Sequence, residues 1–295
     1  MISATGCRFR ALSARLLHCR VGFATFERPN MRASHLRSWL FTLILVLTLS
    51  SHPRPTLAAP PPASVKLLVP AYFYPAGEGL RTWRKLIGAA GKVPVIAIAN
   101  PASGPGTEIN PDYAKVIQQA QTARIKVIGY VSTNYTKRKS ADIKHDIDLW
   151  LKFYPTIQGI FFDEQSSEAA QSDFYLDLAN DARQKIPQAF VVTNPGTICA
   201  EEYFSKNVAD TICVVENGEG LEKYTPPEWA KKYPAERFYG LAFQVPTAAG
   251  LRTSLRAAVQ KHLGYVYVTD DKLPNPWDTL PVYWEAEIQA VNPPQ

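Results

Sequence analysis

The sequence predicts an α/β fold: a single (β/α)8 barrel of the TIM type. Three observations predict it. Eight short runs rich in β-branched and aromatic residues recur over residues 66–295. Longer helical patterns separate them, and the C-terminal ends of the runs are polar. The main rival is a doubly wound open sheet. Its dinucleotide-binding form carries a glycine-rich phosphate loop after the first strand, but Tyr72-Phe73-Tyr74-Pro75-Ala76-Gly77 stands there instead.

The predicted strands are 66–74, 93–99, 126–133, 157–164, 189–194, 211–216, 237–245 and 265–270. A helix is predicted over 111–124, because Asn110-Pro111 is a cap followed by a first-turn proline. Ile143, Ile147, Trp150 and Leu151 fall at helical spacing in 139–153. Residues 168–185 and 248–263 are long and amphipathic, whereas 80–90, 200–206 and 227–233 are shorter helical patterns.

Residues 1–59 stand apart from this alternation. Trp39–Leu49 is an apolar run, preceded by Arg32 and Arg37 and followed by the small residues Ala58 and Ala59. That order is the order of a secretory signal, and the run is too short to span a bilayer comfortably. The expectation is an N-terminal extension and signal over 1–59, with Met31 as an alternative start. A proline-rich tether follows over 60–65, then the barrel over 66–295. The expected location is secreted or periplasmic, with membrane contact only in passing, through the signal.

Charge supports this division. The whole chain carries +6 at a pI near 9.0. Residues 1–58 hold eight arginines against Glu27 alone, which leaves 24 basic and 25 acidic residues beyond them. A nucleic-acid-binding domain would keep a basic surface after that subtraction, so no nucleic-acid partner is expected. A monomer without cofactor is expected.

Export permits a disulfide between Cys199 and Cys213. Closing about 15 residues would stabilise the fold by roughly 3 kcal/mol in the chain-entropy model. The alternative is two free thiols in adjacent elements. With His145 and His262 alone beside them, these cysteines do not make a metal cage. Neither histidine is placed for a serine triad, since His145 lies in a charged helical segment and His262 at a helix end.

Barrel active sites occupy the C-terminal strand ends. Asp163 and Glu164 follow the apolar run Ile160-Phe161-Phe162, and Glu216 ends Ile212–Val215. Successive strand residues alternate in direction. One of Asp163 and Glu164 is therefore expected to face the axis and the other the shell, unless a bulge reorients them. By the same alternation Glu216 shares a face with Ile212 and Val214. Two carboxylates aimed at one cleft suit glycosidic cleavage, in which one donates a proton while the other attacks or activates water. The catalytic candidates are Asp163, Glu164 and Glu216. The substrate-binding candidates are Tyr72, Tyr74, Asn100, Tyr130, Asn134, Asn194, Gln244, Tyr267, Asp270 and Trp277. For each asparagine a capping or turn role is the competing reading, and for the aromatic residues it is core packing. Tyr135 belongs to the same cluster of strand-end aromatics.

Several ordered segments resemble the spherulation-specific family 4, or spherulin-4-like, proteins: LLVPAYFYP (67–75), IANPASGPG (98–106), PDYAKVI (111–117), VIGYVSTNY (127–135), GIFFDEQS (159–166), VVTNPGT (191–197) and GYVYVTDDKLPNPWDTLPVYW (264–284). The resemblance implies a (β/α)8 barrel. Fungal members of this family are endo-acting glycoside hydrolases that cleave galactosaminogalactan at α-1,4-linked N-acetylgalactosamine. Their adjacent Asp-Glu pair corresponds to Asp163 and Glu164. Their later glutamate corresponds to Glu216, although the family usually places an aromatic before it and this chain has Val215. Glu219 and Glu222 are nearby alternatives. The competing function is a noncatalytic exported carbohydrate-binding or developmental structural protein.

Overall fold

The structure is a computed structural model that describes residues 65–291. The predicted signal and extension, and the tether up to residue 64, lie outside the described residues.

Eight parallel strands close into a barrel in sequence order: β1 (Lys66–Ala71), β2 (Val95–Ala99), β3 (Lys126–Ser132), β4 (Gly159–Asp163), β5 (Phe190–Thr193), β6 (Thr211–Asn217), β7 (Phe238–Ala242) and β8 (Tyr265–Val268). Pairing of Lys66 with Tyr265 and Leu67 with Val266 closes the ring. Closure removes both sheet edges, which an open sheet would have to protect.

The outer layer holds α1 (Gly77–Ile87), α2 (Pro111–Thr122), α3 (Ser140–Phe153), α4 (Ser172–Lys185), α5 (Glu202–Ser205), α6 (Ala248–Gln260) and α7 (Trp284–Val291). Between β6 and β7 the chain makes three short 3₁₀ turns in place of an α-helix, one of them over the expected 227–233 segment. The sequence reading did not include α7. The start of α2 follows the sequence reading: the Asn110 side chain accepts from the amides of Asp112 and Tyr113, and Pro111 opens the helix. Among the described residues no helix is long and apolar enough to cross a membrane.

The strands are buried on both faces, so they read as continuous apolar runs. Outward residues pack against helices. Gly129 shows how tightly: Trp150 of α3 lies on it, and a Cβ there would meet the indole at 2.5 Å. The indole N–H donates to the Tyr130 carbonyl at 2.9 Å, which satisfies its polar edge inside the core. Inward residues fill the barrel, with Tyr239 donating to the Leu68 carbonyl across the interior at 2.6 Å.

The disulfide that the spacing permits does not form, and the alternative of two thiols holds: Cys199 and Cys213 are both free and buried. Strand geometry explains the correction. Cys213 turns inward, bonding the Val215 carbonyl at 3.4 Å, with its thiol in the field of Glu216 and Asp163. Cys199 lies in the loop after β5, among Tyr203 and Tyr224 of the outer layer, where burial pushes its thiol up to about 12. Sequence spacing permits the bridge, but the wall of the barrel separates the side chains.

Candidate active site

A cleft of about 450 Å³ opens at the C-terminal ends of the strands. Asp163, Glu164 and Glu216 line it together with Tyr72, Tyr135, Asn194, Gly196 and Trp277. Each acid reaches the cleft by a different backbone device.

Asp163 ends β4 and points inward by simple alternation, two residues after Phe161, which also lines the cleft. Glu164 would then point outward. Its φ of 55° places it in the left-handed region instead, and the carboxylate swings back to the cleft. A non-glycine residue pays about 1 kcal/mol for that conformation. Fastening of its backbone holds it there: the Glu164 carbonyl accepts the amide of Tyr135 at 2.7 Å and the Thr133 hydroxyl at 2.8 Å. The Glu164 carboxylate accepts the Ser132 hydroxyl and the Asn134 amide.

Glu216 depends on a bulge. In the β6–β7 ladder Cys213 pairs with Tyr239 and Val215 with Gly240, so two steps on β6 match one on β7. The inserted residue reverses the alternation beyond Cys213. Glu216 therefore faces inward with Cys213, and the expected face shared with Ile212 and Val214 is corrected.

Asn194, just past β5, stands between the two strands. Its Nδ2 donates to Asp163 Oδ1 and Glu216 Oε2, each at 2.9 Å. Laid end to end, those two bonds put the accepting oxygens no more than 5.8 Å apart. Its Oδ1 accepts the Gly196 amide at 2.8 Å, and the Gly196 carbonyl accepts the Glu216 amide at 3.0 Å. Gly196 holds a φ of 65°, which glycine adopts without penalty.

Burial pushes both carboxyls up. For Asp163 three donors oppose that shift, the Tyr130 phenol, the Glu164 amide and Asn194, while the adjacent Glu164 charge adds to it. For Glu216 only Asn194 opposes it, and the nearby Asp163 charge adds to the rise. The negative charge is thus better solvated on Asp163, and the proton is better kept on Glu216.

The remaining binding candidates separate by position. Tyr72, Asn194 and Trp277 line the cleft. Tyr130 sits one layer below, its phenol close enough to Asp163 to favour the carboxylate and its ring edge-on to Tyr72 at 5.7 Å. Asn134 is exposed beside Glu164, and its amide makes the contact. Tyr74 is on the rim outside the cleft lining. Asn100 accepts the Gly104 amide and shapes the loop after β2. Asp270 accepts the Val282 amide in the loop after β8. Tyr267 is fully buried, with its hydroxyl donating to Thr279. Gln244 is exposed and its amide donates to the Asp271 carbonyl. Glu219 is exposed, and Glu222 accepts from Ser254 of α6, so neither alternative glutamate enters the cleft.

The sequence reading did not single out Ser132 or Gly196. It also assigned no role to the segment Leu273–Pro276, which forms one wall beside Trp277. Ser132 had a readable signal, being the inward residue two after Tyr130 on β3. The wall had none in its spacing, because its position depends on the Tyr72 amide after β1 donating to the Trp277 carbonyl in the loop after the neighbouring β8. Among the described residues no group of three or more His, Cys, Asp or Glu side chains is placed to hold a metal.

The sequence pattern of the spherulation-specific family 4 matches residues 66–291, which is the whole barrel. The chain belongs to that family. Spherulin-4 of Physarum polycephalum is 29% identical over 278 residues, covering 90% of this chain and 80% of that protein. Among solved structures, Aspergillus clavatus Sph3 in complex with GalNAc superposes with a TM-score of 0.67 at 24% identity, covering 78% of this chain and 98% of that one. The endo-1,4-beta-mannanase of Eisenia fetida gives a TM-score of 0.50 at 9% identity, over 78% and 92% of the two chains. The spherulation-specific barrel thus shares its fold with glycoside hydrolases.

Proposed function

We propose that this family member is a secreted, retaining glycoside hydrolase that cuts within amino-sugar polysaccharide chains. The single observation that carries the proposal is the Asn194 bridge between Asp163 and Glu216. Retaining enzymes place their carboxyl groups about 5–5.5 Å apart, and inverting enzymes about 6.5–9.5 Å to leave room for water. The 5.8 Å bound on the bridged oxygens is compatible with the closer, retaining spacing.

In this reading Asp163 is the nucleophile and Glu216 the acid. The Asp163 carboxylate attacks the anomeric carbon as the C1–O bond to the leaving sugar breaks. Glu216 gives its proton to the departing oxygen. Glu216, now a carboxylate, then takes a proton from water, whose oxygen displaces Asp163 from C1. The net change is addition of water across one glycosidic bond. Glu164 is held by Ser132 and Asn134 and presents its outer lone pairs to hydroxyl or acetamido N–H groups of the sugar. Tyr72, Tyr135 and Trp277 offer rings to the apolar faces of pyranoses.

Family membership and the GalNAc bound to the similar Sph3 structure support an α-1,4-linked galactosamine or N-acetylgalactosamine polymer as substrate. The arginine-flanked apolar run at 39–49 supports export.

The test is incubation of the mature protein with polymers containing galactosamine, N-acetylgalactosamine or glucosamine, reading product masses and the first-formed anomer by NMR. Retained anomers from the wild type, and none from folded Asp163→Asn or Glu216→Gln, are expected. Inverted product sinks the double displacement. Tight binding with no turnover on any of these polymers makes the protein a carbohydrate-binding barrel.

A further inference from the structure

The exposed large apolar side chains among the described residues are Tyr74, Ile109, Tyr135, Ile198, Leu273 and Val282. Single exposed apolar residues are ordinary on protein surfaces. Their placement here is not scattered. All six lie in segments that follow strands and none lies on an outer helix, although Val282 belongs to a separate pocket beside Thr82 and Lys85 of α1. Tyr135 and Leu273 line the cleft itself, and Tyr74 lies beyond it.

Tyr74 is also held rigid. Its hydroxyl donates to Asp112 Oδ2 at 2.9 Å and accepts from Asn110 Nδ2 at 3.2 Å, at the start of α2. Its ring meets Tyr113 edge-on at 5.8 Å, and Tyr113 is fixed by donation to the Asn100 carbonyl at 3.1 Å. The residue is nonetheless 49% exposed. An exposed side chain normally keeps its rotamer freedom and loses it on binding. This one has its orientation set beforehand by polar contacts at its tip, which leaves the ring as the open surface. The chain links it to the cleft: Tyr72 lines the cleft, and two residues span at most about 7 Å.

We infer that Tyr74 is the platform of a distal sugar subsite, which stacks a pyranose of the same amino-sugar chain whose scissile bond lies between Asp163 and Glu216. This rests on the hydrolase reading for the identity of the chain, but the contact is one of binding and needs no turnover. The occupant is a pyranose because a flat ring with its hydroxyl already satisfied offers an apolar face and no charge. A neighbouring unit held there makes affinity depend on chain length.

Calorimetric binding of short and long N-acetylgalactosamine oligomers to the Glu216→Gln protein, alone and combined with Tyr74→Ala or Tyr74→Phe, tests the subsite. The Glu216→Gln parent should bind long oligomers more tightly than short ones. Tyr74→Ala should cost about tenfold on the long ones, equivalent to ~1.4 kcal/mol, and less than about twofold on a disaccharide. Tyr74→Phe keeps the ring and should lose less than about threefold on the long oligomers. Equal losses on short and long oligomers, or none on either, overturn the subsite. A wild-type protein that binds long chains through Tyr74 but never cleaves them removes the hydrolase and keeps the subsite. One that cleaves them while Tyr74→Ala keeps the full preference for length does the reverse.

Discussion

Asp163 and Glu216 come from strands that are not neighbours, yet the single amide group of Asn194 binds both, at 2.9 Å each. Two buried carboxyls facing one cleft repel when both are charged, and a shared donor lowers that cost. Asn194→Ala should therefore push both titrations upward and loosen the spacing that a double displacement needs. The expected loss in kcat is about a hundredfold or more, on the scale of removing one preorganised donor. Steady-state kinetics over a pH series checks this. Unchanged kcat with only KM altered would make Asn194 a substrate contact and not a spacer.

Tyr130 allows the two acids to be told apart. Its phenol supports the charged form of Asp163, and no such partner supports Glu216. In the proposed mechanism the acid limb of kcat/KM reports Asp163 losing its proton, and the alkaline limb reports Glu216 losing its own. Burial places both above the ordinary carboxylate range of about 4. Tyr130→Phe removes a donor to the Asp163 anion, so the acid limb should move further up while the alkaline limb stays. Movement of the alkaline limb alone would exchange the two roles.

How far the sequence reached can be followed residue by residue. Strand runs such as Ile160-Phe161-Phe162 are legible because burial on both faces demands them, and Asp163 inherits its direction from alternation. The other two acids do not. Glu164 reaches the cleft through a left-handed φ, and Glu216 through an extra residue in the β6–β7 ladder. Both are local exceptions to period two, and neither has a residue-type signature such as glycine at the turning point. The cysteines fail for the same reason, since their spacing in sequence says nothing of which side of the wall each occupies. Trp277 was legible as a strand-end aromatic, but the wall around it was not, because a bond to Tyr72 from the far end of the chain positions it.

Gly129 sets the seating of α3 on the barrel. A Cβ there would lie 2.5 Å from the Trp150 indole, which is fully buried and bonded to the next carbonyl of the strand. Neither ring nor strand can yield without breaking that bond. Gly129→Ala should cost about 1–3 kcal/mol, the usual range for overpacking, read as a lower Tm. Trp150→Phe in the same background should recover part of the loss by making room. If the single variant melts with the wild type, the helix is not seated on that glycine.

Glu287 of α7 should set the pH dependence of stability. It is fully buried; one carboxyl oxygen accepts the Val268 amide at 3.0 Å and the other has no partner. Burial raises its pKa to about 8, against an ordinary value near 4.3. Between those values the folded protein holds a proton that the unfolded chain has released. Stability is therefore greatest below the unfolded pKa and falls as pH rises through the folded one. From this group alone the loss between pH 5 and pH 8 is on the order of 3 kcal/mol. Asp163 and Glu216 are shifted in the same direction and add to the slope. Glu287→Gln keeps the carbonyl that Val268 needs and removes the ionisation. Denaturant melts at pH 5 and pH 8 should show the wild type losing clearly more stability than Glu287→Gln over that interval. Equal losses in the two proteins would mean that the buried carboxyl does not carry the dependence.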